Sequence, residues 1–115
     1  MEVTERKHGD VTVLSFEGRM TIGRGDVVVR EAVLKALGEG QRKILLVLEG
    51  VRAMDSAGIG ELVSVYTSTR NRGGGLKLAK LSPKVASILQ ATQLTGVLDI
   101  HDSVETALAD FSGLP

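Results

Sequence analysis

Residues 43–62 read KILLVLEGVRAMDSAGIGEL, a run of aliphatic residues followed by a polar, glycine-containing segment. The segment 43–48 is apolar at nearly every position, which predicts a central strand that is buried on both faces. A helix over about 57–72 is predicted to follow, with Asp55 or Ser56 as its N-cap. This strand-to-helix transition is the strongest single indication of both the fold and the functional site.

Two glycines, Gly58 and Gly60, lie in the first turns of this predicted helix. Each costs up to about 1 kcal/mol relative to alanine inside a helix, so the pattern indicates that something approaches the helix start closely. Packing on the sheet and contact with a partner both explain such an approach, and the sequence leaves the two interpretations open. Gly73 to Gly75 end the helix, unlike the glycines of phosphate-binding loops, which precede one.

The rest of the chain alternates between strand-like and helix-like segments, which is typical of an α/β fold. The predicted order is β-β-α-β-α-β-α-β-α, a single domain over 1–115 with a mostly parallel sheet and helices packed on it. A hairpin makes the first strand antiparallel, and its charged residues suit an exposed edge, where charge discourages pairing with another chain. The predicted strands are 2–7, 11–16, 43–48, 76–81 and 97–101, and the predicted helices begin at about 27, 57, 83 and 103.

Local signals predict where these helices begin and end. Asp26 is expected to cap the helix over 27–37, after a glycine-punctuated loop over 18–25. The other expected boundary residues are Ser82 and Pro83 at the start of the third helix, Gly96 at its end, and Asp102 with Glu105 as a capping box for the last helix.

The composition excludes several classes of protein. The chain has 14 Lys and Arg against 14 Asp and Glu, so it lacks the basic excess that is typical of nucleic-acid binding. It has no cysteine, and hence no disulfide and no thiolate zinc site. The charged first ten residues lack the apolar core of a signal peptide, and the longest aliphatic run, 44–48, is far short of the ~20 residues that span a bilayer. We therefore expect a cytoplasmic protein that binds neither nucleic acid nor membranes.

The sequence gives little support for a metal site, a nucleotide site or a hydrolase site. His8 and His101 lack partners at metal-ligand spacing, and no phosphate-binding glycine motif is present, so we expect no metal and no cofactor. A serine hydrolase would use Ser56 and His101, although residues 54–58 (MDSAG) depart from the G-x-S-x-G nucleophile motif. Esterase turnover that is lost in both Ser56→Ala and His101→Ala would support this enzymatic hypothesis.

Residues 51–62 (VRAMDSAGIGEL) resemble the hallmark segment of the STAS domain, and specifically that of the bacterial anti-sigma factor antagonists. The similarity continues in the same order along nearly the whole chain. The other similar segments are 16–20 (FEGRM), 73–78 (GGGLKL), 81–85 (LSPKV), 94–96 (LTG) and 102–108 (DSVETAL). The resemblance implies a regulatory domain that is not an enzyme.

The resemblance further implies a switch protein that changes partners. In the family, an anti-sigma factor that is also a serine kinase phosphorylates the serine after the aspartate, here Ser56. The unphosphorylated form binds that kinase and frees a sigma factor, and a metal-dependent serine phosphatase resets the switch. The sequence departs from the family pattern at Ala57, where a second serine is common, and at Thr21, where an aspartate is common. The departure at Thr21 supports an alternative, a constitutive interaction scaffold without phosphorylation of Ser56.

The implied partner surface combines the 19–25 loop with the start of the 57–72 helix. We expect the protein to be a monomer or a weak homodimer. The predicted partner-binding residues are Arg19, Met20, Thr21, Ile22, Asp55, Ser56, Ala57, Gly58 and Gly60.

Overall fold

A computed structural model describes residues 1–112 and shows four helices around one five-stranded sheet. The strands are β1 (Glu2–His8), β2 (Val11–Met20), β3 (Lys43–Met54), β4 (Gly75–Ala79) and β5 (Ile100–His101). The helices are α1 (Gly25–Gly38), α2 (Ser56–Asn71), α3 (Pro83–Ala91) and α4 (Val104–Ser112), with a short 3-10 turn at Leu94–Gly96. The end of the expected domain, 113–115, lies outside the described residues.

The strands lie side by side in the order of the chain, β1-β2-β3-β4-β5. β1 is antiparallel to β2, and the other neighbours are parallel. This confirms the predicted α/β class, element order and mostly parallel sheet. The sequence did not determine the order of the strands, which is consecutive because each helical crossover returns the chain to the adjacent position.

The helices cover the two faces of the sheet unequally. One face packs against α1, α2 and α3 in the larger core, to which β2 contributes Leu14 and Phe16 and β3 contributes Leu46 and Leu48. The other face packs against α4, mainly through Phe111. Within residues 1–112, no helix is both long and apolar enough to cross a membrane.

Two strands extend beyond their predicted ends. β2 continues to Met20 and β3 to Met54, and these last residues lie opposite each other in the sheet. Beyond residue 16, β2 alternates between exposed and buried positions, which is the pattern of a half-buried strand. A glycine within this stretch obscures that pattern in the sequence. The predicted loop over 18–25 is therefore wrong in extent, and the connection to α1 is only 21–24.

The start of α1 differs from the prediction. The helix begins at Gly25 with Arg24 in the N-cap position, so the prediction that Asp26 caps it is wrong. The Asp26 carboxylate lies inside the first turn, where it accepts a hydrogen bond from the Val27 amide at 2.9 Å. An acidic residue is still favourable there because it faces the positive end of the helix dipole.

The C-terminal third also corrects the predicted boundaries. Ser103 caps α4, since its Oγ accepts a hydrogen bond from the Thr106 amide at 3.1 Å, and the predicted capping box with Asp102 is wrong. Gly96 does not end α3, which stops at Ala91; this glycine closes the 3-10 turn instead. Residues 97–99, which were predicted to be strand, continue the turn and the irregular chain after it, so β5 is only two residues long.

Lys77 of β4 anchors α4 to the sheet. Its side chain is 4% exposed, and its ammonium group binds the carboxylates of Asp99 and Asp110 and lies 4.9 Å from the centre of the Phe111 ring. Burial alone would lower the pKa of Lys77, but its hydrogen bonds to Asp110 and Asp99 outweigh burial and raise that pKa. The hydrogen bond from Lys77 lowers the pKa of Asp110.

We expect Asp110→Asn to reduce stability at neutral pH and to reduce the loss of stability in acid. The pKa of Asp110 is lowered on folding, so its contribution is complete above the unfolded carboxyl value of about 3.9 and is lost as the pH falls through the folded value. Urea denaturation from neutral to strongly acidic pH measures both effects. Asp102→Asn, at an exposed position before α4, is the control. An acid loss in the Asp110 variant as large as in the wild type would contradict this role.

Candidate functional site

The candidate site lies at the carboxyl ends of β2 and β3. Met20 and Met54 end these strands side by side, and each strand leads directly into a helix. The loop 21–24 connects β2 to α1, and Asp55 alone separates β3 from α2. Crevices at the carboxyl ends of parallel strands are the usual binding places in open α/β sheets. The structure therefore brings together the two segments that the sequence analysis combined.

Asp55 joins these two segments through both of its carboxylate oxygens. Oδ1 accepts a hydrogen bond from the Gly58 amide at 3.1 Å and caps α2, while Oδ2 accepts one from the Ile22 amide at 3.0 Å. These hydrogen bonds, the Ile22 bond foremost, lower the pKa of Asp55 and keep it ionised at neutral pH. Of the two possible caps in the sequence, Asp55 is the one that the structure uses, which leaves Ser56 free.

Two buried glycines allow α1 and α2 to begin against the end of β2. A Cβ on Gly58 would lie 2.3 Å from the Met20 carbonyl oxygen, and one on Gly25 would lie 2.2 Å from the Arg19 carbonyl oxygen. The close approach that was predicted at Gly58 therefore comes, within the chain, from the protein's own strand. The Met20 side chain, a predicted partner-binding residue, is fully buried in the core and supports the site from below.

Gly60 differs from Gly58 in its surroundings. It is exposed, and a Cβ there would meet no atom within 4 Å. Its cost to the helix therefore has no explanation in the packing of the described residues. Packing on the sheet, one of the two interpretations that the sequence left open, therefore does not explain this glycine.

Several predicted site residues are exposed at this end of the sheet. Ile22 is 74% exposed, more than any other large hydrophobic side chain of residues 1–112. Ser56 is the first residue of α2, and its exposed hydroxyl forms no hydrogen bond to any other residue between 1 and 112. Arg19 is exposed, whereas Thr21 and Ala57 are half-buried. The structure thus presents a hydroxyl and an aliphatic side chain on segments that Asp55 connects.

His101 lies in a different environment from Ser56. Its Nε2 is 2.9 Å from an Asp99 carboxylate oxygen and 3.7 Å from one of Asp110, which belongs to α4 on the face opposite to α2. The paired serine and histidine that the hydrolase hypothesis requires are therefore not found among the described residues. The side chains of Asp99, His101 and Asp110 form a cluster whose ligand-type atoms lie within 4.8 Å of one another. The sequence did not predict it, because Asp110 belongs to a separate element, α4, and joins the other two only in the folded protein. The ammonium group of Lys77 binds both carboxylates of the cluster.

The buried face of α2 differs from the face that helical periodicity predicts. Spacing in the sequence predicts one apolar face that consists of Ile59, Leu62, Val63 and Tyr66. Leu62 is fully buried, but Glu61 is also buried, at 8% exposure, and binds Arg30 of α1 at 2.9 Å. The Oε2 atom of Glu61 has no hydrogen-bond partner among residues 1–112. A charged residue on this face could not be inferred from periodicity, because Arg30 meets it only after the two helices pack together.

Comparison with known proteins identifies the family. The model of the STAS domain matches residues 2–107. The chain belongs to the STAS domain family. The anti-sigma-B factor antagonist of Bacillus subtilis is 33% identical over 78 residues, which cover 68% of this chain and 71% of that protein. The anti-sigma F factor antagonist of Paenibacillus polymyxa is 24% identical over 111 residues, which cover 96% of this chain and 94% of that protein.

Solved structures show the same STAS fold. A Thermotoga maritima protein assigned as an anti-sigma factor antagonist matches with a TM-score of 0.85 at 27% identity, covering 94% of this chain and 92% of that one. The unphosphorylated form of SpoIIAA, an anti-sigma factor antagonist, matches with a TM-score of 0.75 at 18% identity, covering 98% of this chain and all of that one, and this likeness concerns the fold alone. The comparisons confirm the STAS resemblance of the sequence.

We expect opposite effects from two alanine substitutions in α2 of this STAS domain. Gly58→Ala directs a Cβ into the Met20 carbonyl oxygen and should destabilise the fold by about 1–3 kcal/mol. Gly60→Ala should stabilise it by about 0.5–1 kcal/mol, because the added methyl group meets open space and alanine favours the helix. Urea denaturation of the two variants measures the difference. Equal changes in the same direction would contradict the distinct packing of the two glycines.

Proposed function

We propose that this STAS domain is an anti-sigma factor antagonist whose choice of partner depends on phosphorylation of Ser56. In the unphosphorylated state it binds an anti-sigma factor that is also a serine kinase, and a sigma factor is released. Phosphorylation by that kinase ends the interaction, and a metal-dependent serine phosphatase restores it. The domain supplies no catalytic residue and no cofactor of its own, and its role places it in the cytoplasm.

The exposed position of Ser56 at the start of α2 is the observation that carries this proposal. A kinase needs access to a free hydroxyl, and Ser56 offers one because the neighbouring Asp55 provides the helix cap. The functions named for the Bacillus and Paenibacillus relatives support the same role.

The surface around Ser56 has the features of a small protein-binding site. Ile22 supplies an exposed aliphatic anchor, and the amide of the same residue is fixed by Asp55. Gly60 allows the backbone of a partner to come close to α2. The half-buried Thr21 and Ala57 complete the contact surface, and the exposed Arg19 lies at its rim.

A phosphate on Ser56 would change the electrostatics of this surface more than the fold. A phosphoserine carries about −1.5 to −2 charges at pH 7, which the start of a helix tolerates. The adjacent carboxylate of Asp55 already occupies the amides of Gly58 and Ile22. Repulsion between the phosphate and this carboxylate therefore weakens the hydrogen bond that holds the loop 21–24. The added charge and the loosened loop both act against the bound partner.

A single phosphate supplies most of the free energy that such a switch requires, without refolding. Leaving a charge buried and unpaired in an interface costs about 3–5 kcal/mol, and moving a population from about 99:1 to 1:99 requires about 5.5 kcal/mol. The solved forms of SpoIIAA support this interpretation, because its unphosphorylated and phosphorylated forms match the fold of this chain with TM-scores of 0.75 and 0.72.

We expect Ser56→Asp to weaken binding to the anti-sigma factor kinase of the same organism by about a hundredfold or more, as measured by calorimetry. Ser56→Ala should bind like the unphosphorylated protein and should keep binding when ATP is added. Ser64→Asp is the matched control, since it adds the same charge to an exposed position of the same helix about two turns away.

Tight binding by Ser56→Asp would contradict the switch at this residue. Absence of phosphate from Ser56 in protein isolated from its own cells would instead favour a constitutive scaffold, the alternative that Thr21 suggests. Phosphate-affinity electrophoresis of the native protein distinguishes the two functions.

A further inference from the structure

We propose that the outer edge of β1 pairs with β1 of a second copy of this chain and joins the two sheets across a twofold axis. β1 is the outermost strand, bonded to β2 on its inner side, and all seven of its residues are exposed. The opposite edge, β5, is only two residues long. A long, exposed edge strand presents a row of unpaired backbone groups on which another strand is able to dock. The sheet therefore has one short edge and one edge that is long enough for pairing.

The charges of β1 favour a second copy as the occupant of this edge. The first half of the strand carries Glu2 and Glu5, and the second half carries Arg6 and Lys7. In antiparallel pairing of two identical strands, the first half of one strand faces the second half of the other, so unlike charges meet. The charge that the sequence analysis interpreted as an obstacle to pairing is thus self-complementary.

A twofold axis at Thr4 gives a register in which the charged residues of β1 that have no ion pair within the described part of their own chain face each other. In this register Thr4 faces the same residue of the second copy, and Glu2 faces Arg6 on both sides of the axis. All of these positions are even-numbered and lie on one face of the sheet. Within residues 1–112, Glu2 and Arg6 form no ion pair, whereas their neighbours have internal partners. The ammonium group of Lys7 donates a hydrogen bond to the Thr12 hydroxyl at 2.7 Å, and Glu5 lies 3.8 Å from Lys35.

The symmetry of this dimer leaves the candidate functional site open. A twofold axis perpendicular to the sheet reverses the strand direction, so the carboxyl ends of the two sets of parallel strands point in opposite directions. Ser56 of each copy therefore remains exposed at an outer end. Two surface ion pairs and one short ladder predict a weak dimer that dissociates as the salt concentration rises. The inference does not depend on the proposed function.

A charge-swap cycle on the full chain tests this interface. Sedimentation equilibrium at low salt should show a dimer that Arg6→Glu weakens by about tenfold or more, since two attractions become two repulsions. Glu2→Arg should do the same, and the double variant Glu2→Arg/Arg6→Glu should restore the dimer. The exchange Glu5→Lys/Lys7→Glu is the matched control and should change the dissociation constant by no more than about twofold, because these residues do not face each other in this register.

A chain that remains monomeric at high concentration would overturn the proposal. So would a dimer whose dissociation constant is unchanged by Arg6→Glu. Sensitivity to the Glu5 and Lys7 exchange without sensitivity at Glu2 and Arg6 would overturn the register.

A cysteine cross-link provides an independent test, because the chain contains no cysteine of its own. Thr4→Cys places two thiols opposite each other, with Cα atoms about 4.5–5.5 Å apart, within the range of a disulfide. Mild oxidation should therefore give a covalent dimer. His8→Cys is the control, since it lies on the same face but about 26 Å from its counterpart in this register. Equal cross-linking of both variants, or none at Thr4→Cys, would contradict the pairing.

Discussion

The carboxylate of Asp55 is the constraint on which the functional end of this STAS domain depends. One of its oxygens caps α2, and the other holds the loop 21–24 through the Ile22 amide. Because a single side chain makes both bonds, the start of the helix and the conformation of the loop are coupled. A charge placed next to Asp55 therefore acts on two segments that are 33 residues apart in the sequence. This coupling is the structural basis of the switch that we propose at Ser56.

The packing beneath Asp55 holds the two segments that it couples in fixed positions. Gly25 and Gly58 bring the first turns of α1 and α2 against the backbone at the end of β2, so that neither helix is able to move without disturbing the strand. The fully buried Met20 side chain fills the core between them. The exposed Ile22 and Ser56 project from this closely packed support. The loop and the first turn of α2 thus form an exposed surface on a rigid support.

The element order was predictable because its signals are local. Hydrophobic periodicity, glycines after helices and the hairpin turn each lie within a few residues of the element that they define. The extension of β2 to Met20 and of β3 to Met54 was not predictable in this way, since glycines and charges interrupt both segments and their pairing joins distant parts of the chain. Helix caps were missed for a smaller reason: Ser103 and Asp102 are adjacent, both are able to cap, and only the geometry selects between them.

The candidate site was predictable in its position and only partly in its details. The Asp-Ser-x-Gly pattern between a strand and a helix locates Asp55 and Ser56, but it does not show which atoms the glycines approach. The burial of Glu61 and Lys77 could not be predicted from the sequence. Their partners, Arg30 and Asp110, lie about thirty residues away and contact them only in the folded protein. Charged residues on predicted apolar faces become interpretable once such partners are known.

The most direct test of this account compares the amide NMR spectrum of the protein carrying phosphoserine at position 56 with that of the unmodified protein. The account predicts changes that are confined to the loop 21–24 and to residues 55–60, including the amide of Ile22, whose hydrogen bond to Asp55 is weakened. The amides of β4 and of α4 should stay in place. An unchanged Ile22 amide, or changes that spread through the whole sheet, would contradict the claim that Asp55 couples the phosphoacceptor to the binding loop without refolding the domain.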